Sequence, residues 1–508
     1  MFMEKITASV KVLKSDLNKI KDNALLIGFF KDKLSLGAEI KKLDNKLSNI
    51  ISSFIKNNNF KGEKGEAKTI YINKDIKNIV LVGLGEENRF TLDVLSNIIA
   101  DVSKKLRENS TESFSIFLDT FSNNKFKYEE VIEKTTLSSL MGLYKFREYK
   151  TKENENAKQL KQITIITNSN KNFDNELKYA SIVATALNKT RDLVNTPPNI
   201  ATPQYIADYV KGICKNFVSK DKIFDCKIFD EKQIEKLKMG CFLGVAQGSA
   251  NKPRLVVIEY YGVSKKQKPI AIVGKGVTFD SGGLNLKPYP FILNMKDDKA
   301  GAIAAVHIIE ASAKLDLPVN LVVVIPLCEN MPSSTSFRPD DVLTAYNGMT
   351  VEIKNTDAEG RLILADALSY AAEFKPQAII DIATLTGASL IALGYIGTPF
   401  LSTDGKISER IKEASKKSLE KVWEFPLWPE YEENLKSDIA DLKHISEEGD
   451  AGVIMGATFL KNFVNGIPWA HIDIGTTVWS KVDKGMLVKG ATGATVRLMM
   501  EMLRDWKN

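Results

Sequence analysis

Histidine is scarce: His307, His444 and His471 are the only three in 508 residues, and none stands beside another at the short spacing a histidine metal site needs. Metal chemistry in this chain has to use other ligands. A serine triad built on His471 and Asp473 would need a nucleophile elbow, and no Gly-x-Ser-x-Gly is present. Cysteine is scarce too. Cys214, Cys226, Cys241 and Cys328 are scattered, without the paired spacing of a zinc knuckle or the density of a disulfide scaffold, which fits a reducing compartment. No run approaches the ~18 apolar residues of a membrane span, and Met1-Phe2-Met3-Glu4-Lys5 opens no apolar core of signal-peptide length. The expectation is a soluble, cytoplasmic protein with no membrane partner. A strong charge bias is also missing: 70 Lys and Arg against 63 Asp and Glu give a formal charge of +7. That permits an acidic partner but reads foremost as a solvated surface.

At this length the chain most naturally holds two domains, and hydrophobic residues at 44% support large cores. Residues 1–170 alternate strand-like and helix-like runs, clearest at Ile79–Val82, Phe114–Leu118 and Ile163–Ile166, and read as an α/β domain. Within it Gly83-Leu84-Gly85 begins like a dinucleotide fingerprint, but Asn88 stands where the next glycine belongs, so the reading is a tight strand-to-helix turn. The polar stretch from Thr151 to Gln162 reads as an exposed loop or insertion, having few apolar side chains to offset the entropy of ordering. A helical pattern over 176–188 makes residues 171–190 a linker helix. Thr196-Pro197-Pro198 must end it, because proline lacks the amide proton and restricts its predecessor. Residues 191–508 form the second α/β domain, with near-continuous apolar strands at Leu255–Glu259, Ile270–Val273, Leu321–Ile325 and Ala378–Ile382. Helical patterns at 301–313, 362–374, 408–419 and 451–464 separate several of them.

Two stretches carry chemistry. Asn355-Thr356-Asp357-Ala358-Glu359-Gly360-Arg361-Leu362 sets two carboxylates two residues apart and a guanidinium two residues beyond, in a loop between the strand-like Thr350–Ile353 and an apolar helical pattern. Upstream, the strand at Ile270–Val273 delivers Lys275, Asp280, Gly282-Gly283, Lys287 and Asp297-Asp298. Gathered and buried, such carboxylates would raise one another's pKa, and divalent cations reverse the sign of that cost. The reading is a metal site. Ligand type alone favours a hard cation and leaves manganese and magnesium open. Other features read as structural: His471 on the alternating strand Ala470–Ile474, Cys328 as a buried core cysteine, and Thr384–Ala388 as a strand-to-helix connection.

These stretches, with Val273–Gly283, Leu286-Lys287-Pro288, Met331-Pro332, Arg338-Pro339, Asp381–Ala388 and Trp469–Ile474, closely resemble the cytosolic leucyl aminopeptidases, a di-metal family. The resemblance is nearly continuous from Arg191 onward and thinner before it, where Tyr144–Lys150 is similar to a family segment. It implies a macro-like N-terminal α/β domain of the kind that binds ADP-ribose, and a catalytic domain over 191–508 with a mixed sheet flanked by helices. Lys275, Asp280, Asp298 and Glu359 would hold one metal and Asp280, Asp357 and Glu359 the other. Zinc is the implied metal, with manganese or magnesium in the more exchangeable site. Lys287 would polarise the scissile carbonyl, Arg361 would hold a bicarbonate that relays a proton, and Thr384–Ala388 would line the cleft. The implied substrates are peptides with a free N-terminus and the implied assembly is a homohexamer. DNA binding on the oligomer surface is the alternative role, since some bacterial relatives have it. One departure stands out: the family usually carries Met after the metal-binding Asp298, where this chain has Lys299. An ammonium in the apolar pocket for the first substrate side chain would narrow its tolerance for large apolar residues; the alternative is that Lys299 points away and another residue fills the pocket.

Overall fold

The computed structural model describes residues 8–14, 16–17, 20–57, 59–72, 76–152, 160–217 and 223–506. The chain divides into a unit of residues 1–185 with 482–488 and a second of 186–481 with 489–508. Among the described residues of the first unit, six strands lie in the order Ser9–Lys14, Gln162–Thr167, Ser113–Phe117, Ala24–Phe30, Asn78–Gly85 and Ala67–Tyr71. Every pairing is parallel except the last, at the edge. Ala24–Phe30 is buried along its whole length, as a central parallel strand covered on both faces must be. Strand Asn78–Gly85 runs through the 3-10 turn Glu87–Arg89 into helix Leu92–Glu108. At Gly83 a Cβ would come within 2.1 Å of the Glu63 carbonyl oxygen. That glycine admits close backbone packing, and Gly83-Leu84-Gly85 close the strand itself, so the expected turn falls later, at Glu87–Arg89.

Helix Leu92–Glu108 starts where Thr91 accepts the Val94 N–H at 3.2 Å. It buries Leu95, Ile98, Ile99, Val102 and Leu106 at helical spacing. Its polar residues Asn97, Asp101 and Lys104 take up the returning segment Val482–Val488. Lys104 Nζ reaches Asp483 at 2.6 Å and the Leu487 carbonyl at 2.7 Å, Gly485 N–H donates to Asp101 at 2.7 Å, and Met486 N–H donates to Asn97 at 3.1 Å. The expected loop over 151–162 needs a correction at its end. Thr151 and Lys152 are exposed, 153–159 lie outside the described residues, Leu160 is buried, and Gln162 already opens a strand. Helix Asp174–Asn195 is longer than the 176–188 pattern and stops just before Thr196-Pro197-Pro198, where the prolines require it to.

In the second unit the described strands form a mixed sheet in the order Val422–Glu424, Thr398–Ser402, Trp469–Asp473, Ala378–Ala383, Ile270–Gly274, Asn320–Asn330, Arg254–Tyr261 and Ile223–Phe229, with Gly276–Asp280 alongside Asn320–Asn330. The four strands from Trp469–Asp473 to Asn320–Asn330 are mutually parallel and wholly buried. Ala271, Val273, Val322, Val324 and Ile379 join one core with Leu362, Ile363 and Leu368 of helix Glu359–Ala372. Alternation along the strands turns Ile270, Ile272 and Val323 to the other face, where helix Ala300–Lys314 covers the sheet. The near-continuous apolar strands of the sequence are thus apolar because both faces are covered. Cys328 is fully buried in this core, and burial pushes its thiol pKa well up.

Ile272→Ala in the central strand removes a side chain with no solvent exposure. It is expected to cost about 2–5 kcal/mol, measured as a fall in the unfolding midpoint; an unchanged midpoint would contradict the two-faced burial.

Candidate metal centre

Open α/β sheets place ligands beyond the carboxyl ends of their parallel strands, and the two chemical stretches converge there. Strand Ile270–Gly274 ends at Lys275, Ala378–Ala383 ends at Thr384, and Asn320–Asn330 ends at Asn330. Lys275 Nζ lies 2.8 Å from Asp298, 2.9 Å from Glu359 and 2.9 Å from the Thr384 carbonyl. Lys287 Nζ lies 2.9 Å from Asp280 and 2.6 Å from Asp357. Carboxylate oxygens of Asp280, Asp357 and Glu359 all come within 4.8 Å of one another. Six of the seven expected residues therefore share one network.

Local structure explains each placement. Asn355 caps the 3-10 turn Thr356–Ala358 by accepting the Asp357 N–H at 2.8 Å, and helix Glu359–Ala372 follows at once. The helix begins three residues before the apolar pattern does, so Glu359, Gly360 and Arg361 form its first turn and are not loop. Gly360 is explained by Lys275, whose side chain crosses that turn: a Cβ at 360 would lie 2.6 Å from both Cε and Nζ. Gly282 has φ +88, and a Cβ there would meet Asp357 Oδ1 at 2.8 Å. Both glycines make room for candidate ligand side chains, Lys275 and Asp357.

Electrostatics show what the arrangement lacks. Four carboxylates face two ammonium groups in a largely buried space, with Glu359 only 1% exposed. Burial, reinforced by Asp280, pushes the Glu359 carboxyl above its usual range, although Lys275 pulls the other way. Burial likewise raises Asp298 and Asp357. Burial opposes the charge on Lys275, yet Asp298, Glu359 and Asp280 together hold its pKa above the ordinary lysine value, and Lys287 is raised by Asp280, Glu359 and Asp357 against the same penalty. Asp298 Oδ2 and Glu359 Oε2 are buried with no hydrogen bond or ion pair. Buried acceptors without partners are costly unless a ligand meets them. The oxygen-rich donor set and these two oxygens fit divalent cations.

Arg361 is nine-tenths buried on the same helical turn. Its Nη1 donates to the His444 carbonyl at 2.8 Å, and its Nε has no partner. Burial lowers its pKa to about 10, with Glu359 and Asp473 opposing. His444 accepts the Lys354 N–H at its Nδ1 and lies 2.9 Å from the Asn355 carbonyl at Nε2. It clips the strand leading to Asp357 onto the segment that holds Arg361. His471 is structural as expected, with Nδ1 2.6 Å from Asp381, whose other oxygen accepts from Trp469 at 2.7 Å.

Lys299 does not stand in an open pocket. It is fully buried, with Nζ 3.2 Å from the carbonyls of Val194 and Thr196 and 2.6 Å from that of Lys296. Several supporting residues went unread in the sequence. Asn330 bonds Asp280 Oδ1 and the Thr356 carbonyl, both at 2.9 Å; Thr384 Oγ1 donates to Asp298 Oδ1 at 2.6 Å; Asp473 accepts the N–H groups of Leu385 and Thr386. The one signal available was a polar residue closing an apolar strand.

Comparison with known proteins agrees with this geometry. Residues 188–500 match the profile described as the cytosol aminopeptidase family, catalytic domain, and 26–153 match that family's N-terminal domain. A probable cytosol aminopeptidase of Geobacter sp. (strain M21) is 37% identical over 488 residues, covering 95% of this chain and 96% of the relative. Another from Alkaliphilus metalliredigens (strain QYMF) is 37% identical over 501 residues, covering 97% and 99%. Among solved structures, a mutant of tomato leucine aminopeptidase superposes with a TM-score of 0.87 at 29% identity, covering 99% of this chain and 98% of that one. The bottromycin maturation enzyme BotP in complex with Mn gives 0.83 at 27%, covering 95% and 99%. Among the described residues, no helix is long and apolar enough to cross a membrane.

Gly360→Ala is expected to push Lys275 off Glu359 and weaken metal binding by ~10-fold or more, read by titrating metal into stripped, folded protein. Unchanged affinity would show that Lys275 need not cross the first helical turn.

Proposed function

The chain belongs to the cytosol aminopeptidase family, and from that premise we propose that it releases residues from the free N-terminus of peptides, using two divalent ions held by the carboxylate and lysine cluster. Membership makes it a peptidase of the metal-dependent aminopeptidase kind. The observation that carries the finer reading is the pair of buried, unpartnered oxygens, Asp298 Oδ2 and Glu359 Oε2, beside the three mutually close carboxylates. Lys275, Asp280, Asp298 and Glu359 would hold one ion and Asp280, Asp357 and Glu359 the other, with Asp280 and Glu359 common to both. Zinc is the expected occupant, with manganese or magnesium in the more exchangeable position. Such ions supply Lewis acidity to a carbonyl and to water alike.

The side chains divide the remaining work. Lys275 would serve as a ligand only as a neutral amine, and dications bound beside it would oppose the charge that Asp298 and Glu359 favour. Lys287 faces the more open side of the cluster, its side chain 16% exposed, and keeps a fixed positive charge next to Asp280 and Asp357. That charge is placed to polarise the scissile carbonyl and to stabilise the oxyanion that develops from it. Arg361, with an unpartnered Nε, offers the guanidinium fork that binds a planar anion in two places and would hold a bicarbonate there, whose chemistry would be that of a proton relay. Thr384–Ala388, held by Asp473, would form the wall along which the peptide lies. A cytoplasmic homohexamer completes the reading.

Lys287→Ala is expected to leave bound metal unchanged while lowering the turnover number by ~100-fold or more, the scale of losing one oxyanion stabiliser; an undiminished turnover number would remove it from catalysis. Acetylating the N-terminus of a good peptide substrate should prevent cleavage, since an amide nitrogen cannot replace a free amine at a metal. Efficient release from the blocked peptide, followed by chromatography, would mean an endopeptidase instead.

A further inference from the structure

The turn that carries Asp298 is moored to a helix end. Met295–Lys299 is a 3-10 turn, and two of its residues send ammonium groups to consecutive carbonyls where helix Asp174–Asn195 finishes. Lys299 Nζ takes Val194 and Thr196, each at 3.2 Å, and closes on its own turn through the Lys296 carbonyl at 2.6 Å. Lys296 Nζ takes the Asn195 carbonyl at 2.9 Å and lies 5.5 Å from the centre of the Trp479 ring. The last carbonyls of a helix have no intrahelical donor and carry the negative end of its dipole, so cations there are favourable twice over.

The geometry fits an ammonium, whose charge burial opposes by lowering the Lys299 pKa to about 7 while Asp297 acts the other way. Lysine has three N–H donors, and Lys299 Nζ has three carbonyl oxygens around it in a site with no solvent exposure. An apolar side chain would leave those carbonyls without this donor, and arginine would carry a planar fork into a space shaped around one nitrogen. Asp298 is the next residue along. From the other side its carboxylate is held through Oδ1 by Thr384 and Lys275, which leaves Oδ2 without a partner.

We propose that Lys299, seconded by Lys296, is a positioning residue for the Asp298 metal ligand, its three-carbonyl mooring fixing the main chain from which that carboxylate projects. The inference rests on the di-metal reading above. It also gives Lys299 a role at the metal in place of one in the first-residue pocket. Losing the mooring lets Asp298 shift, so the effect belongs to metal affinity and not to recognition of the substrate side chain.

The test is calorimetric titration of Mn²⁺ into stripped, full-length wild type, Lys299→Met and Lys296→Met, with kcat and KM for leucyl and alanyl substrates at saturating Mn²⁺. Folded Lys299→Met is expected to bind one Mn²⁺ roughly 10–100-fold more weakly, the usual cost of losing a partner behind a ligand. At saturating metal its leucyl-to-alanyl KM ratio should match wild type. An Mn²⁺ affinity within about twofold of wild type would overturn the proposal, even if the melting temperature falls, because that result describes a merely structural lysine. A changed KM ratio with intact metal affinity would also overturn it, in favour of a pocket role. Should Lys299→Met fail to fold, Lys296→Met decides on the same measure, since Lys296 is only partly buried: weaker Mn²⁺ binding supports the mooring and unchanged binding defeats it. Wild type that binds no Mn²⁺ would bring down the di-metal reading itself, a result distinct from a wild type that binds beside an indifferent variant.

Discussion

Lys275 Nζ sits between Asp298 and Glu359 at 2.8 and 2.9 Å, and through that bridge two motifs far apart in the chain become one site. The contact is strained electrostatically on both sides: burial disfavours the amine's charge, and burial disfavours each carboxylate's. They persist because each supplies what the other lacks, in a medium where water cannot. Much of the surrounding structure follows from accommodating this bridge. The first turn of helix Glu359–Ala372 carries a glycine so that the lysine can cross it, and the end of strand Ala378–Ala383 turns its Thr384 carbonyl toward the same nitrogen. A cluster held in this way is still short of positive charge, which fits divalent cations.

Around that core the molecule uses neutral hydrogen bonds to hold acids in place. Asn330 spans Asp280 and the Thr356 carbonyl, Asn285 and Thr356 bond each other across the Gly282-Gly283 turn, and Asp473 gathers the amides of Leu385 and Thr386. Such partners fix a ligand's direction without adding charge to a region that already has too much of one sign. His444 plays the same part at a distance from the acids, where burial lowers its pKa to about 4 and Arg361 adds to the shift. A neutral ring there binds two main-chain groups beside a guanidinium that a second cation would repel.

The sequence disclosed the site more fully than the fold around it. The candidate site residues lie in short contiguous motifs that the resemblance to the family picks out, so Lys275, Asp280, Lys287, Asp357 and Glu359 could be named as candidates before any contact was known. The central strands were equally legible, because burial on both faces writes itself as unbroken Ile, Val and Leu. Asn330, Thr384 and His444 were not, since each acts through partners on other strands and has no local pattern. Lys299 is the clearest case. The methionine that the family usually carries there made a pocket role one of two readings, while the carbonyls that bind it lie 103 and 105 residues away and belong to groups every residue possesses. The helix start at Glu359 was missed for a related reason. Glu, Gly and Arg give no apolar period, and their helicity comes from the Asn355 cap and the tertiary setting.

The return of residues 482–488 to the first unit bears on the order in which the protein can be made. A ribosome delivers the chain from its amino end, and domains ordinarily fold as they emerge. Here Asn97, Asp101 and Lys104 wait on helix Leu92–Glu108 for partners that follow 384 and 389 residues later in the case of Asp101 and Asn97. The unit that begins first therefore stays incomplete until nearly all of the second has been synthesised, its last piece being followed only by residues 489–508 of the second.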